Sequence, residues 1–320
     1  MKFIRLKTND PYYNLAVEEY LLKNSDEDIF MLWQNEPCVV IGKNQNAYAE
    51  VDLEYAKEQG IKIVRRITGG GAVYHDLGNV NYTFITSSEK ARSLDYEYFT
   101  RPIIDALAHF GVDCKLSGRN DLECDGKKIS GNAQHTENGR ILHHGTLLFD
   151  ADVDTMSKVL RANKEKLEFN AVKSHSSRVT NIKKLLGNDI SLDSFIDSIE
   201  NFVTEHYSAE KWVVDVNETI NALKERNLND EWIYSNKRYL TNYRVRRHKK
   251  YSFGIVDIEL MLSKNIIEDI VISGDFFGVE PIEKLERELK GQNINSVNVT
   301  NVCFYIDKMT DDEFLELIKG

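Results

Sequence analysis

Apolar and polar positions alternate along this chain in two rhythms, and these predict most of its elements. Short, mainly apolar runs read as strands: Phe3 to Leu6, Ile29 to Trp33, Cys38 to Ile41, Ile61 to Val64 and Tyr82 to Thr86,. Stretches with apolar residues three and four apart read as helices. One covers Asn14 to Lys23 behind Asp10-Pro11, with Leu15, Tyr20, Leu21 and Leu22 on its buried side,. A second starts near Leu53 and closes at Gly60, and a third covers Tyr96 to Phe110 and ends at Gly111,. Val112 to Leu116 and Asp121 to Cys124 read as short strands. Asp125-Gly126 is a hairpin signal before a strand at Lys128 to Ser130, and Ile141 to Phe149 follows as another,. From Val153 to Tyr207 the pattern is mainly helical, with a loop around Asn170 to Thr180.

Near the C-terminus, Phe253 to Leu262 and Ile266 to Ile272 alternate like a hairpin. Two helices follow, near Pro281 to Lys290 and Asp311 to Lys319, the second opened by a capping-box pattern of Thr310 and Glu313,. This makes a small α+β unit of residues 246–320 behind a larger one of residues 1–245. Between Trp232 and Tyr251 lies a basic island: Lys237, Arg238, Arg244, Arg246, Arg247, Lys249 and Lys250. It suits either a docking surface for an acidic partner or a solvated linker.

Composition narrows the class. At 320 residues, 42% hydrophobic and 29% charged, the chain suits a soluble protein with one large core or two,. A net charge of -10 argues against a general nucleic-acid binder,. Neither a secretory leader nor an apolar run of membrane-spanning length is present in it, so cytoplasmic is the expectation, and monomer the default,. Cys38, Cys114, Cys124 and Cys303 form no CxxC pair and no metal-ligand spacing, which suggests reduced thiols,.

The candidate chemistry centres on Arg65 to Asn79, RRITGGGAVYHDLGN. Gly69, Gly70 and Gly71 let a ligand approach the backbone and leave N–H groups free for an anion or carboxylate. This is neither familiar phosphate loop. Tyr74 stands where the dinucleotide fingerprint needs glycine, and the chain has no Gly-Lys-Ser/Thr,. From the residues alone, Arg66 could hold an anion or be a strand-end cation. Asn120-Asp121 could cap a turn or, through Asp121, bind magnesium, and Lys128 could be a surface charge or a catalytic cation. His143 and His144 alternate on a strand and suit structural roles or ligand contact, while His75 and Asp76 suit a buried, hydrogen-bonded pair that orients the loop.

The glycine stretch resembles the signature of the lipoate–protein ligases. So do NLAVEE (Asn14 to Glu19), VVIGKNQN (Val39 to Asn46), SGRNDL (Ser117 to Leu122), KISG (Lys128 to Gly131), HHGTLL (His143 to Leu148) and SSRVTNI (Ser176 to Ile182), in order. The C-terminal part is similar to that family's accessory domain. The resemblance implies an α+β fold: a large mixed-sheet catalytic domain of the biotin/lipoate protein ligase type, class II synthetase-like, plus the small accessory domain. It also implies the activity: free lipoate activated by Mg2+ and ATP to lipoyl-AMP, then transferred to a lysine of a carrier domain. Such carriers are 2-oxoacid dehydrogenase E2 subunits or the glycine cleavage H protein, and octanoate is a candidate alternative to lipoate, with the choice between the two acids left open.

On the matching positions, the resemblance assigns ligand binding to Arg66, Gly69, Gly70, Gly71, Ala72, His75, Asn120, Asp121, Lys128, Gly131, His144 and Gly145. Asp121 is the implied magnesium ligand and Lys128 the catalytic residue, touching both the carboxylate and the α-phosphate. Val39, Val40, Ile41, Val73 and Tyr74 are the implied wall of an acyl tunnel, and the accessory domain is implied to hinge between half-reactions. Position 135 is histidine where some relatives carry arginine.

Three alternatives remain. An octanoyl/lipoyl transferase working between carrier proteins needs a cysteine downstream of the lysine, and none lies between Cys124 and Cys303. A biotin–protein ligase would carry a basic Gly-Arg-rich loop, unlike Ile67 to Ala72. A non-catalytic lipoyl-adenylate-binding protein would not need the set Arg66, Asp121 and Lys128.

Overall fold

The computed structural model describes residues 1–161, 179–186, 189–235 and 243–320. In chain order the strands of the first part are β1 (Lys2–Arg5), β2 (Ile29–Trp33), β3 (Cys38–Ile41), β4 (Lys62–Arg65), β5 (Val73–His75), β6 (Asn79–Ser87), β7 (Lys115–Ser117), β8 (Asp121–Cys124), β9 (Lys127–Glu137), β10 (Arg140–Leu148) and β11 (Glu210–Lys211). Among the described residues, eight of them form one mixed sheet in the order β11-β1-β2-β6-β10-β9-β8-β7, while β4-β3-β5 form a smaller sheet.

Each face of the large sheet has its own core. On one, Phe30, Tyr82, Ile129 and Leu147 pack with Phe99 and Ile103 of a helix at Tyr96–His109 and Phe195 and Ile199 of another at Leu192–His206. On the other, Met31, Trp33, Ile85 and Leu142 meet the helix α1 (Pro11–Asn24) together with Val40 and Val64 of the small sheet. The large sheet is therefore buried on both sides, and the alternation of His143 with His144 puts one histidine in each layer.

The sequence places α1 too late and misjudges its faces. Asp10 caps it, accepting from Tyr12 N, and Pro11 occupies the first turn, where its missing N–H costs nothing,. Tyr20 is only half-buried, whereas Asn14, Glu18 and Glu19 are buried. The helix is covered by the large sheet on one side and a helix at Glu218–Leu228 on the other, so polar residues go inside with partners. Glu19 receives Arg226 and Lys23, and Asn14 donates to the Gln34 carbonyl.

Three further expectations need correction. The strand expected at Val112 to Leu116 is confined to Lys115–Ser117. The segment Lys128 to Ser130 belongs to an 11-residue strand whose buried polar positions, Asn132 and Gln134, conceal it from a hydrophobicity reading. A short helix at Ala47–Glu50 and strand β5 have no hydrophobic signature of their own. Ser176 to Arg178 of the SSRVTNI block, and Lys237 and Arg238 of the basic island, lie outside the described residues.

The basic island is not a linker where it is described. Residues Val245–Tyr251 form β12, an edge strand paired with β13 (Gly254–Ser263), which pairs with β14 (Ile266–Gly274). Its exposed bases join a cross-strand ladder, with Arg246 3.2 Å from Glu259 and His248 2.5 Å from Asp257,. Ile258, Leu260 and Ile272 pack against helices at Ile282–Leu289 and Asp311–Lys319. The Thr310–Glu313 capping box is present. No helix among the described residues is long and apolar enough to cross a membrane.

Candidate active site

Strand β4 ends at Arg65 and leads through Arg66 into the three glycines, and the two arginines hold different segments. Arg65 Nη1 donates to the carbonyls of Gly42, Lys43 and Gln45, and its Nη2 to that of Ile233. Arg66 is buried, and burial lowers it to about 10, so it stays charged at neutral pH. Its Nε donates to Thr68 Oγ1 at 2.8 Å and its Nη1 to the Val40 carbonyl at 3.0 Å. Nη2 donates to the Gly69 and Gly71 carbonyls at 2.7 and 2.8 Å. Arg66 thus spends most of its donors on the loop itself.

That arrangement orients the loop. In a trans peptide C=O and N–H point opposite ways, so the amides of Gly70 and Ala72 face away from Arg66. The Gly70 amide donates to the carbonyl of Phe276, 3.2 Å away in the small unit. Gly70 has φ +87°, and a Cβ there would lie 2.8 Å from the Phe277 ring, so both its backbone and its surroundings call for glycine. Gly69 is held by space alone, since a Cβ would lie 2.7 Å from the Phe276 carbonyl. Phe277 also packs with Tyr96 and Ala133, and the Arg119 guanidinium stacks on it at 4.4 Å.

On the same face of the large sheet lies the lysine. Strands β8 and β9 pair Asp121 with Gly131 and Leu122 with Ser130, then skip Ile129 to pair Glu123 with Lys128. This bulge leaves Ile129 and Ser130 together opposite Leu122. Lys128 thereby joins Asp121 and Gly131 on the other face, a re-aiming that bulges provide. Lys128 Nζ lies 2.8 Å from Asp121 Oδ1, and a Cβ on Gly131 would come within 2.9 Å of that amine. Among the described residues no three His, Cys, Asp or Glu gather as a metal cage. Asp121 alone fits magnesium that arrives with phosphate and water oxygens as its other ligands.

The remaining expected residues divide. His144 Nε2 is 2.9 Å from Thr68 Oγ1, which ties β10 to the glycine loop. His143 faces the opposite layer, stacked on Phe99 and bonded to Gln134 and Asn132, with burial holding it neutral. Asn120 spends its amide on the Asn132 carbonyl. Gly145 is required by packing in that layer, where a Cβ would lie 2.1 Å from Asn132 Oδ1. His75 is buried and receives Asn35 Nδ2 at 3.1 Å, and burial lowers it to about 3. Asp76 accepts instead from the Gly78 and Asp152 amides, so the two do not pair with each other. Val40 and Val73 face α1 and the large sheet, whereas Val39, Ile41 and Tyr74 face Met156 and Ile233. Ala72 packs at the rim of that second group. His135 leans on Glu137 at 3.3 Å.

Sequence reasoning overlooked Glu18, Thr68 and Phe277. The signal for Glu18 was present, since a carboxylate amid the apolar positions of a helix needs a partner. Phe277 carried no comparable signal.

A family model described as lipoyl protein ligase A/B catalytic domain matches residues 10–204, and one described as bacterial lipoate protein ligase C-terminus matches residues 241–318. Lipoate-protein ligase LplJ of Bacillus subtilis is 39% identical, over 97% of this chain and 97% of its own. The crystal structure of P. falciparum LipL1 in complex with lipoate has the same fold, with a TM-score of 0.82 at 24% identity over 99% of each chain. A crystal structure of lipoate-protein ligase A bound with ATP aligns with a TM-score of 0.60 at 26% identity, covering 73% of this chain and 98% of that one. With both units matched, and with a lysine, an aspartate and a glycine loop on one sheet face, the chain belongs to the lipoate–protein ligase family.

Proposed function

We propose that this protein joins free lipoate to a carrier-domain lysine in two steps driven by ATP. A lipoate carboxylate oxygen attacks the α-phosphorus of ATP, the bond to the β-phosphate oxygen breaks, and pyrophosphate leaves. The neutral ε-amine of the carrier lysine then attacks the carbonyl carbon of lipoyl-AMP, forming an amide and releasing AMP. The observation that carries this reading is the Lys128–Asp121 pair over Gly131, on the sheet face that also holds the glycine loop. Bringing a carboxylate to a phosphate sets two anions together, and a fixed cation offsets their repulsion.

Lys128 contacts the carboxylate and the α-phosphate in the first step and the adenylate carbonyl region in the second. The amides of Gly70 and Ala72 receive anionic oxygens, with the Gly70 amide exchanging the Phe276 carbonyl for the ligand. That exchange requires the small unit, residues 246–320, to move relative to residues 1–245. Magnesium, held on the protein by Asp121, would neutralise the phosphates. The acceptor is a lipoyl carrier domain, such as that of a 2-oxoacid dehydrogenase E2 subunit or the glycine cleavage H protein. We place the enzyme in the cytoplasm, acting as a monomer.

The thioester-exchange alternative fits less well. Cys124, the cysteine nearest Lys128 in sequence, packs in the layer of Phe99 and Leu122, and burial raises its pKa, which disfavours the thiolate,. The deciding experiment is the intact mass of an apo-lipoyl carrier domain after incubation with the protein, free lipoate and Mg·ATP. A lipoyl-sized increase that requires ATP supports the ligase. An increase without ATP, or none with several carriers and no lipoate-dependent pyrophosphate release, rejects it.

A further inference from the structure

Arg66 poses an electrostatic question that the two-step mechanism does not answer. It is a buried cation whose hydrogen bonds go to Thr68 and to three carbonyls, with no carboxylate in contact among the described residues. A buried charge without compensation is costly. A carboxylate is nevertheless nearby. Glu18, 2% exposed, receives His144 Nδ1 at 3.1 and 3.2 Å to its two oxygens and Thr83 Oγ1 at 2.5 Å, and Trp33 Nε1 donates to Thr83 at 2.9 Å. A cavity of about 10 Å³ between Glu18, His144 and Arg66 has room for at most one water,.

The donors fix the proton positions. Trp33 N–H must donate, so Thr83 directs its own proton to Glu18. At the other end Arg66 Nε–H donates to Thr68, whose proton then goes to His144 Nε2. Nε2 is therefore the acceptor, and Nδ1 carries the hydrogen that Glu18 receives. An imidazolium would instead make Thr68 accept from two cations. The chain of contacts runs Glu18–His144–Thr68–Arg66 and ends on the carbonyls of Gly69 and Gly71.

We infer that Glu18 is a positioning residue of the ligase reaction: through the His144 tautomer and Thr68 it holds Arg66, and thereby turns the glycine-loop amides toward the substrate anions. This rests on the proposed function for its kinetic consequence but not for its geometry. Because the loop holds anions in ground state and transition state alike, weakening it raises KM more than it lowers kcat.

The test pairs spectroscopy with kinetics on the full chain. Nitrogen-15 NMR of labelled histidine should show His144 as the neutral Nδ1–H tautomer in the wild-type protein, and a mixture of neutral tautomers in Glu18→Gln. The amide keeps the size of the carboxylate and removes its charge. Glu18→Gln should raise KM for ATP and lipoate about tenfold, with kcat changed severalfold less. Thr68→Val cuts the same chain without touching the carboxylate and should raise KM equally, while Thr68→Ser restores it; this pair carries the test if Glu18→Gln does not fold. An Nε2–H tautomer or an imidazolium in the wild type overturns the inference. So does a Thr68→Val protein with lowered thermal stability but unchanged KM. A wild-type protein with the expected tautomer and no lipoate-dependent activity would reject the proposed function and leave the relay geometry standing.

Discussion

Lys128 Nζ lies 2.8 Å from Asp121 Oδ1, and each side chain is 32% exposed. An ion pair this open contributes about 0–1 kcal/mol to folding, so its chemical and structural roles can be separated. Lys128→Ala should leave the melting temperature within a few degrees. Lipoate-dependent ATP–pyrophosphate exchange should fall by about 10³-fold or more, in line with loss of a transition-state charge partner. Near-normal exchange would remove Lys128 from the chemistry.

Asp121→Asn keeps the shape beside Lys128 and removes the anion. The magnesium concentration for half-maximal exchange should rise severalfold, since one protein carboxylate is a large share of a site otherwise made of phosphate and water. Titrating Mg2+ at fixed ATP checks this; an unchanged midpoint would place the metal elsewhere.

Gly131→Ala introduces a methyl group 2.9 Å from Lys128 Nζ and 3.1 Å from its Cε. Both atoms end a flexible side chain that can move, so stability should change by less than about 1 kcal/mol. The displaced ammonium should nevertheless lower kcat at least tenfold, an effect of misplacement that steady-state kinetics reads directly.

Gly70→Ala meets two obstacles, φ +87° and the Phe277 ring at 2.8 Å. The backbone cost alone is about 1–2 kcal/mol. Combining it with Phe277→Ala should relieve the clash and leave the backbone cost, so the double mutant should be more stable than the sum of the singles implies. Urea unfolding of the four proteins measures this, and strict additivity would mean that the ring does not limit residue 70.

Stability should fall with acidification through two buried histidines. Burial lowers His75 to about 3 and holds His143 well below its usual value. Unfolded histidines titrate near 6.5, so below that pH the unfolded chain binds protons that the folded one refuses, at about 1.4 kcal/mol per pH unit per residue. Their contribution is full above pH 6.5 and is lost as pH falls toward the folded values. Between pH 7 and 5.5 the two should cost roughly 2–3 kcal/mol together. Urea midpoints at the two pH values test this, and His143→Gln should lessen the slope.

Much of the scaffold was legible from residue patterns, and the limits are physical. Ile29 to Trp33 and Cys38 to Ile41 are buried on both faces, so their uniform apolarity gave the strands to the residue,. The Asp125-Gly126 turn was equally clear, since both residues take positive φ,. What escaped notice was polar burial: Asn132 accepts from Tyr82, Gln134 from the Leu94 amide and Glu18 from His144, partners distant in sequence that only the fold supplies. At the site, the glycine run named the loop, but Phe276 and Phe277 reach it from some 200 residues downstream, a distance no local pattern spans.

The skipped residue at Ile129 means that the site depends on a count as well as on residue types. If β8 and β9 paired evenly with all residues kept, Ile129 would stand opposite Glu123 and Lys128 opposite Cys124, and the parity of Ile129 and everything before it would be inverted. The ammonium would then point into the layer of Phe99 and Leu122, with every amino acid of the site still present in the sequence. In comparisons among relatives, a one-residue gap here that also removes the bulge would therefore leave the lysine facing the site.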